Sequence, residues 1–287
     1  MAKRAVPVRR YSVPTLDWVR MPEAGNEAEP PVFGLDEILD GVAEAGFQAV
    51  GLDDLTVGDL DAADVASALR SRGLSCSEVG ILRAGQSGET SAAAHDLTWL
   101  AQATGAPCCI AIVADPPPPD PLAALETAAT VLDAPGVRMA LEFAAYGSVA
   151  TLPDAIALCA ALGWERCGLL LDSWHVLRGG VPWSALESLD GSQIALVHLN
   201  DAPPVPSPDP VHDSRFRRES PGAGTLDLER FLDVLSGIGY RGAISLEVLS
   251  SRLASTPPAA AARELMASLV MAGLARSEPC AATVDVA

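Results

Sequence analysis

Eight short apolar runs recur along this chain, and a stretch of helical period follows each one. That alternation constrains the fold more than any other feature. The runs are Arg10–Val13, Ala49–Leu52, Ser75–Val79, Cys108–Val113, Arg138–Phe143, Gly168–Asp172, Ile194–Leu199 and Ala243–Val248. Helical patterns lie between them at Leu35–Ala45, Ala62–Arg72, Ser91–Thr104, Leu122–Leu132, Leu152–Leu162, Trp183–Leu189 and Leu228–Gly237, and Ala259–Ala275 closes the series. Strands alternating with helical crossovers predict a parallel sheet covered by helices. Glycines at 46, 73, 105, 163 and 239 sit where a left-handed helix end precedes the next strand. Eight such units select a closed (β/α)8 TIM barrel over an open sheet. A doubly wound sheet would carry a Gly-rich phosphate loop after its first strand, and none is present. The 287 residues suit one barrel, which typically takes about 250. The chain is read as a single domain over 1–287, with 276–287 as a disordered tail.

The composition narrows the partners. The net charge is −18, and an acidic surface repels nucleic-acid phosphates and anionic lipid. A small, polyhydroxylated molecule is the expected substrate. No apolar run approaches membrane length and no signal-peptide pattern precedes the first strand, so a cytoplasmic enzyme is expected, with no membrane or nucleic-acid partner. Cys76, Cys108, Cys109, Cys159, Cys167 and Cys280 form no metal-binding pair and read as reduced, mostly buried side chains. The one lysine, Lys3, lies in the N-terminal extension, which excludes a Schiff base in the core. Two long connections, residues 21–34 and the proline-rich 202–225, would both lie on the catalytic face of a barrel and read as lids or disordered segments.

Chemistry collects where the later strands end. The fifth reads Met-Ala-Leu-Glu-Phe and ends at Glu142; the sixth offers Asp172 and His175. The seventh offers His198, Asn200 and Asp201, and the eighth ends at Glu247. A lone carboxylate after a strand is most often a helix cap or an ion-pair partner. Three carboxylates converging on one buried mouth are prohibitive without a cation. With one imidazole they make an oxygen-rich donor set. That set favours one divalent ion, Mn²⁺ first, with Co²⁺, Mg²⁺ and Zn²⁺ as the other candidates.

These segments resemble the xylose isomerase-like barrel superfamily, in its sugar phosphate isomerase/epimerase branch. The resemblance rests on Glu142, Asp172-Ser-Trp-His175, His198-Leu-Asn-Asp201, Arg217-Arg-Glu-Ser-Pro221-Gly222-Ala-Gly224 and Glu247, and it covers roughly residues 35–250. It implies that Glu142, Asp172, His198 and Glu247 ligate the metal. It also implies that His175 and Arg217 bind substrate oxygens, and that Glu142 and Glu247 move protons on the two faces of the substrate. Arg215 and Arg218 flank the assigned arginine. Asn200 stands where the branch usually has Lys, Ala223 where it has an acidic residue, and Asp53-Asp54 where many relatives carry Glu.

The function expected is a metal-dependent isomerase or epimerase of a small carbonyl compound, sugar or sugar-like. It would act by taking a proton beside a metal-bound carbonyl. The alternative is a dehydratase of inosose or dehydroshikimate type, or a biosynthetic-cluster enzyme with a new reaction on the same site. An endonuclease IV-like repair enzyme would need a histidine-rich trinuclear site and a basic face; four histidines and a charge of −18 argue against it. A homodimer is the expected assembly.

Overall fold

The computed structural model describes residues 11–22 and 31–274. The N-terminal extension with Lys3, residues 23–30, Cys280 and the tail expected at 276–287 lie outside the described residues. In chain order the elements are β1 (Tyr11–Pro14), α1 (Leu35–Glu44), β2 (Ala49–Asp53), α2 (Asp54–Val57), α3 (Ala62–Ser71), β3 (Ser75–Ala84), α4 (Ser87–Thr104), β4 (Cys108–Val113) and α5 (Pro121–Asp133). Then come β5 (Arg138–Glu142), α6 (Leu152–Leu162), β6 (Cys167–Asp172), α7 (Ser173–Arg178), α8 (Trp183–Glu187), β7 (Ile194–His198), α9 (Pro210–Phe216), α10 (Leu228–Gly237), β8 (Ile244–Ser245) and α11 (Pro258–Met271). Each strand pairs in parallel with the next, and β1 pairs with β8, so the sheet closes into a barrel.

The strands are apolar runs because the barrel buries them on both faces; every residue of β6 is buried. One large core lies between the sheet and its helices, with Ile38, Leu125, Leu132 and Leu265 among the side chains packed in it. A smaller layer of Cys108, Ile110, Ala140, Leu170 and Leu196 packs together, as barrel interiors are filled in layers. The ring is also closed on its outside. Helix α1 lies against α11 so tightly that a Cβ at Gly41 would stand 2.5 Å from the Ala259 nitrogen. No described helix is long and apolar enough to cross a membrane. The five described cysteines are free and buried; Cys159 and Cys167 bring their sulfurs to 3.5 Å as thiols.

Three local features differ from the sequence reading. Strand β3 runs on to Ala84, beyond the expected end at Val79. Strand β8 keeps only two residues, so Glu247 follows the strand rather than ending it. The segment 202–225, read as a lid or disordered segment, contains α9. Asp209 starts that helix by accepting from the Val211 and His212 amides, and Pro210 supplies a preset first turn.

Candidate metal centre and active site

Strand alternation brings the donors together. Residues two apart share a face of a strand. Ala140, Leu170 and Leu196 meet inside the barrel, so Glu142, Asp172 and His198 form the next layer toward the C-terminal mouth. Asp172 and His198 are register partners on β6 and β7, and His198 also pairs with Ser245 on β8. Glu247 enters two residues beyond Ser245. The four side chains bring one donor atom each within 4.8 Å of the others.

An arginine enters the same cluster, and it is Arg218. Its Nη1 donates to Asp172 Oδ2 at 2.7 Å and to Glu247 Oε2 at 2.8 Å. The guanidinium is held from behind, where Nε donates to the Ser214 carbonyl at 2.7 Å. Arg217, the arginine assigned from sequence, is placed elsewhere. It donates to Asp213 Oδ1 at 2.9 Å and to the Val205 carbonyl at 3.3 Å, outside the cluster. The reason is register. The Arg218 amide bonds the Leu249 carbonyl and the Ser251 amide bonds the Phe216 carbonyl. In such an extended pairing consecutive side chains point to opposite sides. Arg215 has no hydrogen bond or ion pair among the described residues, and it lines the cavity described below.

The rest of the strand-7 motif is structural. Asn200 is buried and donates to both oxygens of Asp172 at 3.2 Å and to the Glu247 carbonyl at 3.1 Å, which orients two of the four donors. Asp201 organises the Pro-Gly-x-Gly turn. Its carboxylate accepts from the amides of Gly222 and Gly224 at 3.0 Å and of Leu226 at 2.9 Å. Glycine is required at 224 because a Cβ there would strike the Ala202 backbone and the Asp201 carboxylate. Asp53, at the end of strand 2, caps α2 through the Thr56 amide and takes the Thr15 hydroxyl.

Electrostatics show what the cluster lacks. Burial, with Glu247 and Asp172 close by, pushes the Glu142 carboxyl up to about 8. Burial opposes charge on His198, but Glu247, Glu142 and Asp172 outweigh it and lift the imidazole to about 10. Burial also opposes charge on Glu247, yet His198 and Arg218 hold it down to about 2. Protons are therefore doing part of the charge balancing. Both ring nitrogens of His198 and Oε1 of Glu142 are buried with no hydrogen-bond partner. Three carboxylates set against one guanidinium leave two negative charges, the charge of one divalent ion. The donor set and its orphaned atoms fit such an ion.

A cavity of about 330 Å³ opens above the cluster, lined by Glu142, His175, Tyr146 and Glu247 among others. Asp172 and His198 are not among its lining residues. His175 stands 3.7 Å from Glu142 Oε1 through Nε2. Burial drops its imidazole to about 4, so it is neutral at ordinary pH. Tyr146 lies 5.6 Å ring to ring from His175, with its phenol on Ser214 Oγ at 2.9 Å.

Three buried acids escaped the sequence reading: Asp213, already met as the partner of Arg217, Glu78 and Asp17. Glu78, in β3, accepts from Ser245 Oγ at 2.6 Å and fills space that Gly51 leaves open. The signal was present, since it is a lone Glu inside an apolar run. Asp17 accepts from the Val248 amide at 2.8 Å, beside Glu247; nothing local in the sequence marks it.

Comparison with known proteins agrees with this architecture. A family model described as xylose isomerase-like TIM barrel matches residues 39–270. The inosose isomerase of Halalkalibacterium halodurans is 34% identical over 115 residues, 39% of this chain and 40% of that protein. The 3-dehydroshikimate dehydratase of Pseudomonas aeruginosa is 35% identical over 136 residues, 47% of this chain and 21% of that protein. The chain thus spans less than half the length of either relative. Among solved structures, the IolI protein with a bound zinc atom superposes with a TM-score of 0.78 at 17% identity, over 94% of this chain and all of that one.

Proposed function

We propose that this chain, which belongs to the xylose isomerase-like TIM barrel family, is a divalent-metal-dependent isomerase or epimerase of a small polyhydroxylated carbonyl compound. One observation carries the reading. Of the four clustered donors, Glu142 and Glu247 line the cavity, while Asp172 and His198 do not. Two carboxylates thus face one substrate space from β5 and from the end of β8.

Glu142, Asp172, His198 and Glu247 would hold the ion, Mn²⁺ first, with Co²⁺, Mg²⁺ and Zn²⁺ also suited to the set. When bound, the ion supplies Lewis-acid polarisation of a carbonyl and its neighbouring hydroxyl. The protein's own groups do the rest. One glutamate takes the proton beside the carbonyl, and the other returns one from its own side. His175, held neutral, orients a substrate hydroxyl. Arg218, buried and outside the cavity lining, positions Asp172 and Glu247 rather than substrate, and so does not take over the substrate-binding role first assigned to Arg217. The cavity walls of Leu16, Ile81 and Leu249 exclude water from the reacting carbons.

A second reading uses the same first step. The partial match to a 3-dehydroshikimate dehydratase supports a lyase, in which a β-hydroxyl leaves after proton removal. Incubating metal-replete protein with ketoses and inososes in D₂O separates them. Deuterium at carbon without loss of water is expected for an isomerase or epimerase. Loss of water selects the lyase. Neither outcome with any carbonyl compound rejects both readings.

A further inference from the structure

Several arginines crowd the mouth of the barrel, and two of them have no use in the site so far described. Arg218 is spent on Asp172 and Glu247, and Arg217 on Asp213. Arg83, near the end of β3, and Arg215, on α9, both line the cavity. Neither side chain makes a hydrogen bond or an ion pair among the described residues. Several arginines elsewhere stand beside carboxylates, as Arg72 does with Asp36 and Asp40 and Arg252 does with Glu264. In a chain of net charge −18, Arg83 is exposed and Arg215 half-buried on the cavity wall, so both guanidiniums are open to a ligand that enters it.

We propose that Arg83 and Arg215 form an anion subsite, so that the substrate carries a carboxylate or a phosphate at the end remote from its reacting carbonyl. The proposal rests on the metal-dependent carbonyl chemistry above and narrows its substrate class. The cavity is divided to suit such a molecule. Glu142, His175 and Glu247 line it beside the donor cluster, and Ile81, Ile112 and Leu249 give it apolar wall. Arg83 and Arg215 supply cationic donors from two different elements. Asp115 lines the same cavity but pairs with neither arginine. A guanidinium binds carboxylate or phosphate oxygens through paired N–H donors. In an acidic protein such local cations also offset the field that would otherwise repel an anionic substrate. A neutral polyol would leave both guanidiniums without a partner.

The test uses two matched pairs of probes on metal-replete protein, by titration calorimetry. Quinate and myo-inositol are ring polyols with and without a carboxylate. Ribulose 5-phosphate and ribulose differ by a phosphate. In at least one pair the anion is expected to bind about tenfold tighter or more, the usual worth of charged hydrogen bonds. The gap should narrow with added salt. Which pair shows it separates carboxylate from phosphate. Arg83→Ala and Arg215→Ala should each remove most of the gap, and Arg→Lys should keep part of it. Equal binding within both pairs overturns the proposal, as does failure of both anions to bind. So does a preference that survives the double alanine variant, because the anion then sits on the metal or on Arg218. Solvent exchange is read separately. An Arg-dependent preference with no deuterium uptake from any ketone keeps the subsite and rejects the carbonyl chemistry. Uptake with no anion preference does the reverse.

Discussion

Arg218 Nη1 stands 2.7 Å from Asp172 Oδ2, with both side chains almost fully buried. This contact makes the arginine a permanent member of the carboxylate cluster. Removing it leaves Asp172 and Glu247 without their shared countercharge. Arg218→Ala should cost about 3–5 kcal/mol in metal-free protein, the usual penalty for breaking a buried pair. Metal should restore more of the melting temperature in this variant than in the wild type. Arg217→Ala removes a partly exposed arginine from the buried Asp213, which keeps Arg178 at 3.7 Å, and should cost less, about 1–2 kcal/mol. Calorimetric melting with and without chelator checks both. Similar losses for the two variants would refute the assignment.

Glu142 and Glu247 differ from the other two donors in facing the cavity. Glu142→Gln and Glu247→Gln keep an oxygen and the side-chain volume but remove the base. Turnover at saturating metal should fall by roughly 10²–10⁴-fold in each, the worth of a general acid or base. Asp172→Asn should act mainly through metal affinity. If either Gln variant turns over normally once metal content is restored, that glutamate is a ligand only and a one-base mechanism takes its place.

Asp201 holds three amides of the turn that follows Arg218. Asp201→Ala should destabilise the protein by about 2–3 kcal/mol, from lost hydrogen bonds to a charged acceptor. It should also loosen Arg218 and raise KM more than a surface change of equal stability cost. Gly224→Ala should mimic it, because its Cβ collides with the same carboxylate. Backbone amide exchange at 222–226 reports the loss directly; unchanged protection there would contradict the anchoring role.

Glu78 gives a pH dependence with a definite sign. Burial raises its carboxyl above the ordinary range, which is about 4.3 in the unfolded chain. Below that ordinary value the group is neutral in both states and its contribution is fully present. As pH rises toward and through the folded value, the unfolded state ionises first and that contribution is lost. Glu78→Gln removes the penalty. The variant's melting temperature should therefore hold up better than the wild type's on going from about pH 4 to pH 8. Parallel curves would show that Glu78 is not a buried neutral acid.

The sequence made the strands legible because burial on both faces turns each into a short apolar run. Their ends were legible for the converse reason: Glu142, Asp172, His198 and Glu247 break those runs where no apolar packing needs them. Which arginine joins the carboxylate cluster was not legible. It depends on the register of 216–219 against 249–251, which spacing within one segment does not encode. Helix α9 was hidden by the prolines around it, although Asp209-Pro210 is a good helix start. Asp17 was hidden because its partner amide lies 231 residues away.

The seam between β1 and β8 has a consequence for how the molecule is made. Tyr11 and Ser12 pair with Ile244 and Ser245, and Gly41 receives the backbone of Ala259. A ribosome delivers the first partners of these contacts long before the second. Until the last ones emerge, β1 presents an open edge and α1 an apolar face, the condition that invites association with other chains. Glu247 also arrives in that final stretch, so the four donors are complete only after the ring has closed. An ion that needs all four donors would therefore bind only after the final strand of the ring is in place.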